Sequence, residues 1–238
     1  VNDKVDLIYA IATPAAQTVA NLTKDIPIVA SAITDYEGAK LIKSNNEPGG
    51  NLTGTSDMNP IKEQIDLLLK IAPNAKTIGC IYTSSEANSE IQFKAMKEYA
   101  ESKGLKVESA TISNVNDIQQ AAQSLVGKVD IFWEPTDNVI ASAIPTLVSV
   151  TDAAKKPVIC GEPNMVKNGG LATYGIDYYE LGKQSGHMAA DILEGKSKPA
   201  NMPIQFAKVL KAMFNKTDAA KLGITLSDDL LKDADVVE

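Results

Sequence analysis

Two α/β lobes with parallel sheets are the architecture this sequence predicts. The first observation behind it is an internal repeat. Lys4-Val5-Asp6-Leu7-Ile8-Tyr9 returns as Lys128-Val129-Asp130-Ile131-Phe132-Trp133. Pro27-Ile28-Val29-Ala30-Ser31, Gly49-Gly50 and Leu52-Thr53-Gly54-Thr55-Ser56-Asp57 follow the first copy. Pro157-Val158-Ile159-Cys160-Gly161, Gly169-Gly170 and Leu171-Ala172-Thr173-Tyr174-Gly175-Ile176-Asp177 follow the second in the same order. The period is far too long for a solenoid and fits two copies of one architectural unit. The second observation is that short apolar runs alternate with helical patterns, which implies parallel sheets with right-handed crossovers. The third is length: 238 residues suffice for two lobes with cores of their own. Two such lobes are expected to face each other with a ligand between them.

Taken in order, residues 6–12 form a short apolar run and read as a buried strand. Thr13-Pro14 opens a helix over 15–23, with Thr13 as N-cap and Pro14 in the first turn. Strands over 26–31 and 51–57 flank a turn-rich stretch, and 60–71 is an amphipathic helix with Ile61, Ile65, Leu68 and Leu69 on one face. A strand over 76–83 leads through the polar loop 84–88 to a helix over 89–103, closed by Gly104. Next come a strand at 106–111, a helix at 115–126, the repeated strand at 129–134, and a helix at 140–154 interrupted by Pro145. Strands at Val158 and Leu171 precede a helix over 179–193. In the tail, 217–222 and 227–231 read as short helices.

Composition excludes several function classes. The net charge is −7, and nucleic-acid binding needs a basic surface. All 23 basic residues are Lys, so no guanidinium fork is available for a carboxylate or phosphate. An anionic group must then rely on Lys, hydroxyls, backbone N–H groups or helix N-termini. No apolar run reaches the ~20 residues of a membrane helix. The start, Val1-Asn2-Asp3-Lys4, has no Met and no basic n-region, and the expectation is that residues upstream are missing. Cys80 and Cys160 lie in apolar runs and read as buried free thiols. Two thiols and one histidine cannot build a Cys/His zinc cage, so neither metal nor cofactor is expected.

In open α/β sheets, ligands bind beyond the carboxyl ends of the strands. Those ends carry Thr13, Ser31, Thr34, Asp35, Ser84, Glu86 and Asn88 in the first part of the chain. In the second they carry Thr136, Asp137, Asn138, Glu162 and Asp177. Any one of these commonly caps a helix or forms a turn; at corresponding places in two copies they read as a binding cleft. Catalytic patterns are missing. His187 sits mid-helix, no Ser or Cys has the strand-to-helix elbow of a nucleophile, and Gly195-Lys196-Ser197 has Ala190 where a phosphate loop needs Gly. Tyr9 and Trp133 occupy matching strand positions and read as core, whereas Tyr36, Tyr82, Tyr174 and Tyr178 lie near strand ends and can line a pocket.

Five internal segments carry a resemblance to a known family. They are Ile11-Ala12-Thr13-Pro14-Ala15-Ala16, Ala32-Ile33-Thr34-Asp35, Asn51-Leu52-Thr53-Gly54, Glu134-Pro135-Thr136-Asp137-Asn138 and Gly175-Ile176-Asp177-Tyr178-Tyr179-Glu180-Leu181-Gly182. With the end of the chain (Asn215, Ala219-Ala220-Lys221-Leu222-Gly223-Ile224, Ala234-Asp235) they resemble the ABC-transporter substrate-binding lipoproteins of the tryptophan/tyrosine-binding kind. The resemblance implies a type I periplasmic-binding-protein fold, two Rossmann-like lobes joined by crossover strands. It also implies a lipid-anchored protein outside a bacterial membrane, with a strand–helix unit upstream of Val1 that would complete the first lobe.

The resulting expectation is a solute receptor for an ABC importer, an extracytoplasmic monomer whose partners are a small ligand and the permease. The first lobe would hold 1–57 and 178–203 and the second 58–177, with 204–238 unassigned. Crossovers would lie near Ser56-Asp57-Met58, near Ile176-Asp177 and after Pro203. The ligand, a free amino acid or similar zwitterion, would bridge the lobes and drive hinge closure. Glu162, with no cation nearby in sequence, would take its ammonium, with Thr136 and Asp137 making polar or ammonium contacts. Thr13, helped by Ser31 or Thr34, would take its carboxylate. The alternatives are the effector domain of a lac-repressor-type regulator, which shares the fold but would need a DNA-binding headpiece, and a two-lobed transferase, which would need a phosphate-binding loop.

Overall fold

A computed structural model describes residues 3–238. In chain order the elements are β1 (Ile8–Ile11), α1 (Thr13–Leu22), β2 (Ile28–Ile33), β3 (Leu52–Ser56), α2 (Ile61–Ile71), β4 (Thr77–Thr83) and α3 (Ala87–Ser102). Then come β5 (Lys106–Ile112), α4 (Ile118–Leu125), β6 (Ile131–Glu134), α5 (Asn138–Ser142), α6 (Ile144–Ala153), β7 (Val158–Cys160) and α7 (Pro163–Lys167). The chain ends with β8 (Ala172–Ile176), α8 (Tyr178–Leu193), β9 (Gln205–Phe206), β10 (Leu210–Asn215), α9 (Lys216–Leu222), α10 (Asp228–Leu231) and β11 (Asp235–Val237). These divide into two compact units. The first combines the chain up to Met58 with Ile176–Val209, and the second combines Asn59–Gly175 with Leu210–Glu238.

The first unit is a four-stranded sheet in the order β1-β2-β3-β9, every neighbouring pair parallel. Its core gathers Ala16, Ile28, Ala30, Ile33, Tyr36, Leu52 and Ile204. β2 is apolar on both faces because it runs between two strands with helices packed over it, the pattern of a central parallel strand. Gly54 is required here. Its φ is +152°, and a Cβ would stand 1.7 Å from the Ala30 carbonyl oxygen and 2.5 Å from the Tyr36 hydroxyl. Two sequence expectations fail in this unit. Thr13 is the first helical residue of α1, while Ala12 (φ +72°) occupies the cap without a side-chain bond. Tyr9 is 40% exposed on β1, with its hydroxyl 2.5 Å from Ser185 Oγ.

The second unit is a seven-stranded sheet in the order β11-β10-β8-β7-β6-β4-β5. β4–β5, β4–β6, β6–β7, β7–β8 and β10–β11 pair parallel. Trp133 is fully buried in β6. Its indole N–H donates to Gln64 Oε1 at 2.9 Å, and the Gln64 amide donates to the Tyr174 and Gly161 carbonyls. A buried Trp with its N–H satisfied contributes its full apolar area to the core. α3 ends in a Schellman turn, with Leu105 N–H bonded to Ala100 O, Gly104 N–H to Glu101 O, and Gly104 at φ +81°.

The remaining differences from the sequence reading have local causes. The helix expected at 140–154 is two helices because the chain breaks at Ala143 and restarts with Pro145 in the first turn of α6. The helix expected from 115 opens with a 3-10 turn at Val115–Asp117, capped by the Asn114 side chain. α7 follows β7 directly, because Glu162 caps it and Pro163 fits its first turn. β9, β10 and β11 lie in the tail, where short half-exposed strands leave little periodicity to read. Cys80 and Cys160 are buried free thiols, as expected, pushed well above the ordinary thiol range by burial and by nearby carboxylates.

Candidate functional site

The strand order of the second unit reverses between β4 and β6, since β5 lies to one side and β7 and β8 to the other. Ligands in open α/β sheets bind at such switch points, beyond the strand carboxyl ends. The two strands pair at Ile78↔Ile131 and Gly79↔Phe132 and then diverge. Past that point carboxylates replace backbone acceptors. Ile81 N–H donates to Glu134 at 3.1 and 3.3 Å, and Thr83 N–H to Asp137 Oδ2 at 2.7 Å. Thr83 Oγ1 and Ile140 N–H donate to Asp137 Oδ1. Glu134 is completely buried, and burial, then the charge of Asp137, pushes its carboxyl well above the usual range against the pull of the Ile81 N–H.

Over this gap sits a network of amides around Glu86. Glu86 Oε2 accepts from Asn138 Nδ2 at 2.7 Å, Asn88 Nδ2 at 3.0 Å and Asn138 N–H at 3.1 Å. Asn88 Nδ2 also donates to the Thr136 carbonyl at 3.0 Å. Gln92 donates to Thr136 Oγ1, and its Oε1 accepts from Thr136 N–H and Asn59 Nδ2. Glu86, Asn88, Asn59 and Gln92 are all buried. The side-chain oxygens of Asn59 and Asn88 are enclosed without a donor.

In the first unit the strand ends carry hydroxyls instead. Ser31 Oγ lies 3.2 Å from Thr55 Oγ1 and 3.1 Å from Ser185 Oγ, so this residue sits in a chain of hydroxyls under α8. Ser56 Oγ donates to the Thr34 carbonyl. Asp57 closes β3, accepting from Tyr178 Oη at 2.8 Å and Thr34 Oγ1 at 3.4 Å. Burial raises its carboxyl above the ordinary value, and those two bonds partly offset the rise. Thr34, Asp35, Tyr36, Ser56 and Phe206 line a cavity of about 280 Å³. Both Ala12 (φ +72°) and Ala32 (φ +56°) are non-glycine residues in the left-handed region, at the carboxyl ends of β1 and β2. Strained backbone of this kind gathers at ligand sites.

The expected site residues therefore separate. Glu86, Asn88, Thr136, Asp137 and Asn138 come together at the second unit's switch point, whereas Ser84 is exposed and donates to the Ile112 carbonyl at the end of β5. Glu162 is not the unpaired carboxylate its sequence neighbours suggested: both oxygens cap α7, accepting Asn164 and Met165 N–H at 2.7 Å. Asp177, exposed, caps α8 through Tyr179 and Glu180 N–H. Thr34 joins Asp57 and Tyr178, whereas Thr13, buried in the first turn of α1, has no hydrogen bond on its hydroxyl. Sequence reading missed Asp57, Asn59 and Gln92. For Asp57 the repeat itself was the signal, since it corresponds to Asp177. For Gln92 the signal was a buried face of α3 that begins with Asn88, Ser89 and Gln92 before turning apolar at Met96.

Among the described residues, no group of three or more His, Cys, Asp or Glu is arranged to hold a metal ion, and no helix is long and apolar enough to cross a membrane. His187 is exposed on α8.

Comparison with known proteins agrees with this architecture. A tyrosine-binding protein of Clostridioides difficile is 47% identical over 197 residues, covering 83% of this chain. The match covers 57% of that relative's own length. A Streptococcus pneumonia ABC domain solved in complex with L-Trp superposes with a TM-score of 0.95 at 44% identity, over 99% of this chain and 80% of that one. A ligand-free, open substrate-binding protein with adhesive properties from Clostridium difficile gives a TM-score of 0.75 at 40% identity, over 100% and 79%. A LacI-family regulator of Bifidobacterium animalis (TM-score 0.61, 13% identity, 89% and 77% covered) shares the fold alone. The match to the ABC transporter substrate binding protein family runs over residues 1–238. Two parallel α/β units with polar strand ends, and a family match along the whole chain, make this protein a member of the ABC transporter substrate-binding family.

Proposed function

We propose that the protein is the extracytoplasmic solute receptor of an ABC importer, held to the membrane by a lipid anchor, and that it binds a free amino acid with an aromatic side chain. The observation that carries this reading is the family match along the whole chain. The name of the C. difficile relative and the L-Trp bound to the streptococcal domain add the ligand class. The chemistry of the strand ends supports a zwitterion. In the first unit, the N-terminus of α1 with the unengaged Thr13 hydroxyl suits a carboxylate, and Thr34 adds a second hydroxyl. In the second, Ser84, Glu86, Asn88, Thr136 and Asn138 offer polar and ammonium contacts. Asp137, Glu162, Asp177 and Ser31 serve the site by holding the chain around it. A ligand engaged by both units shifts the open–closed equilibrium, and the permease reads the closed form.

Isothermal titration of the full-length protein with L-tyrosine, L-tryptophan and an aliphatic amino acid tests this. Saturable binding of an aromatic ligand that is recovered chemically unchanged, with compaction in small-angle scattering, is the expected result. Heats equal to buffer for every amino acid would sink the receptor reading. Ligand consumed in proportion to protein and time would reopen an enzymatic one.

A further inference from the structure

We propose that Glu86 is the ammonium acceptor of the site, so that the protein selects ligands bearing a cationic nitrogen over those that carry a carboxylate alone; this rests on the amino-acid receptor reading above. The carboxylates at the strand ends differ in what they have left to give. Asp137 is filled by Thr83 and Ile140, Glu162 by the first turn of α7, and Asp57 by Tyr178 and Thr34. Glu134 is sealed in the sheet with Ile81 N–H against both oxygens. Asp177 is exposed and caps α8.

Glu86 alone in the second unit's set is both withdrawn from water and half-used. It is 6% exposed, and all three of its donors converge on Oε2. Oε1 takes no hydrogen bond and is not among the enclosed atoms, so it remains reachable. No Lys forms an ion pair with it among the described residues. The three donors are neutral amides, which fix the carboxylate and leave its charge uncancelled. A partly dehydrated carboxylate without a cation costs free energy, and a ligand ammonium brought to Oε1 offsets that cost with a charge-assisted bond. Asn88, which steadies Oε2, carries an enclosed side-chain oxygen without a donor. The arrangement is built in advance. Asn138 pins Glu86 through its backbone and side-chain N–H together, so little side-chain entropy is lost on binding.

The test compares Glu86→Gln with wild type against L-tryptophan and against indole-3-propionate, the same molecule without its amine. Wild type is expected to bind L-tryptophan and to disfavour indole-3-propionate. The variant should lose about 30-fold or more for L-tryptophan, while indole-3-propionate binds at least as well as to wild type. A variant that keeps the wild-type ratio of the two affinities overturns the assignment to Glu86 and leaves the receptor reading standing. A wild type that binds no amino acid overturns the receptor reading and the assignment with it. A melting curve shows whether Glu86→Gln is folded. If it is not, Glu86→Asp, which keeps the charge, should retain preference for the amine, and loss of that preference in a folded Glu86→Asp with L-tryptophan affinity intact counts against the proposal.

Discussion

In the first unit the polar side chains at the strand ends are mostly hydroxyls bonded to one another, as in the run Tyr9–Ser185–Ser31–Thr55. In the second they are carboxylates and amides bonded to the backbone, as with Asp137 on Thr83 and Ile140 and Glu134 on Ile81. The repeat in the sequence thus copies strand order without copying chemistry. Hydroxyls are cheap to bury, because each can donate and accept among its own kind. A carboxylate accepts only, so its burial is sustainable where backbone N–H groups have lost their sheet partner, as they have where β4 and β6 diverge. One unit can therefore tolerate deletions that the other cannot.

Asp137→Ala should show the difference most strongly. It strips Thr83 N–H, Thr83 Oγ1 and Ile140 N–H of their acceptor and should cost about 3 kcal/mol in urea unfolding. A cost below ~1 kcal/mol would mean that water enters the gap and that the two units are less different than their bonds indicate.

A second, smaller effect concerns pH. Asp218, buried at the start of α9, is pushed up to about 7 by burial and then by the charge of Asp152, whose own carboxyl burial raises. Lys221 works against both. The folded state then holds a proton that the unfolded chain releases near the ordinary carboxyl value of 3.8. The stabilisation is complete below that value and is lost as pH rises through about 7. A fall on the order of 1–2 kcal/mol between pH 5 and pH 8 is expected, less than the full shift because charge is shared among neighbours. Asp218→Asn should flatten that slope; an unchanged slope would place the titration elsewhere.

Ser31→Ala should be the mildest. Ser185 keeps the Leu181 and Gly182 carbonyls within reach, so about 1 kcal/mol or less is lost in thermal unfolding. If Ser31→Ala costs as much as Asp137→Ala, the contrast between hydroxyl and carboxylate strand ends is wrong.

Most of the architecture was readable because it rests on local pattern. β2 reads as a continuous apolar run, α2 as an amphipathic stripe, and Gly104 as the end of α3, each a consequence of burial or backbone freedom within a few residues. What could not be read depends on partners distant in sequence. Glu162 has no cation near it in sequence, yet the first turn of α7 occupies both its oxygens. The tail strands β10 and β11 depend on pairing, since β10 lies between β8 and β11 in the sheet. Glu86 was legible as a strand-end carboxylate, but its one idle oxygen was not, since that depends on Asn138 converging from another loop.

β9 sits beside β3, with Thr55 paired to Gln205 and the Thr53 hydroxyl bonded to the Met202 carbonyl across a separation of 149 residues. During synthesis, the first half of this sheet leaves the ribosome long before the strand that finishes it. Until then the β3 edge stays open, with its backbone N–H and C=O groups unpaired, a template for wrong partners. The intervening residues hold most of the second unit, whose β4, β5 and β6 can already pair. Closing so long a loop is slow, and domains otherwise tend to fold in order of synthesis. The biogenesis of this protein is therefore expected to run out of sequence order, with the inserted unit maturing before the unit that hosts it.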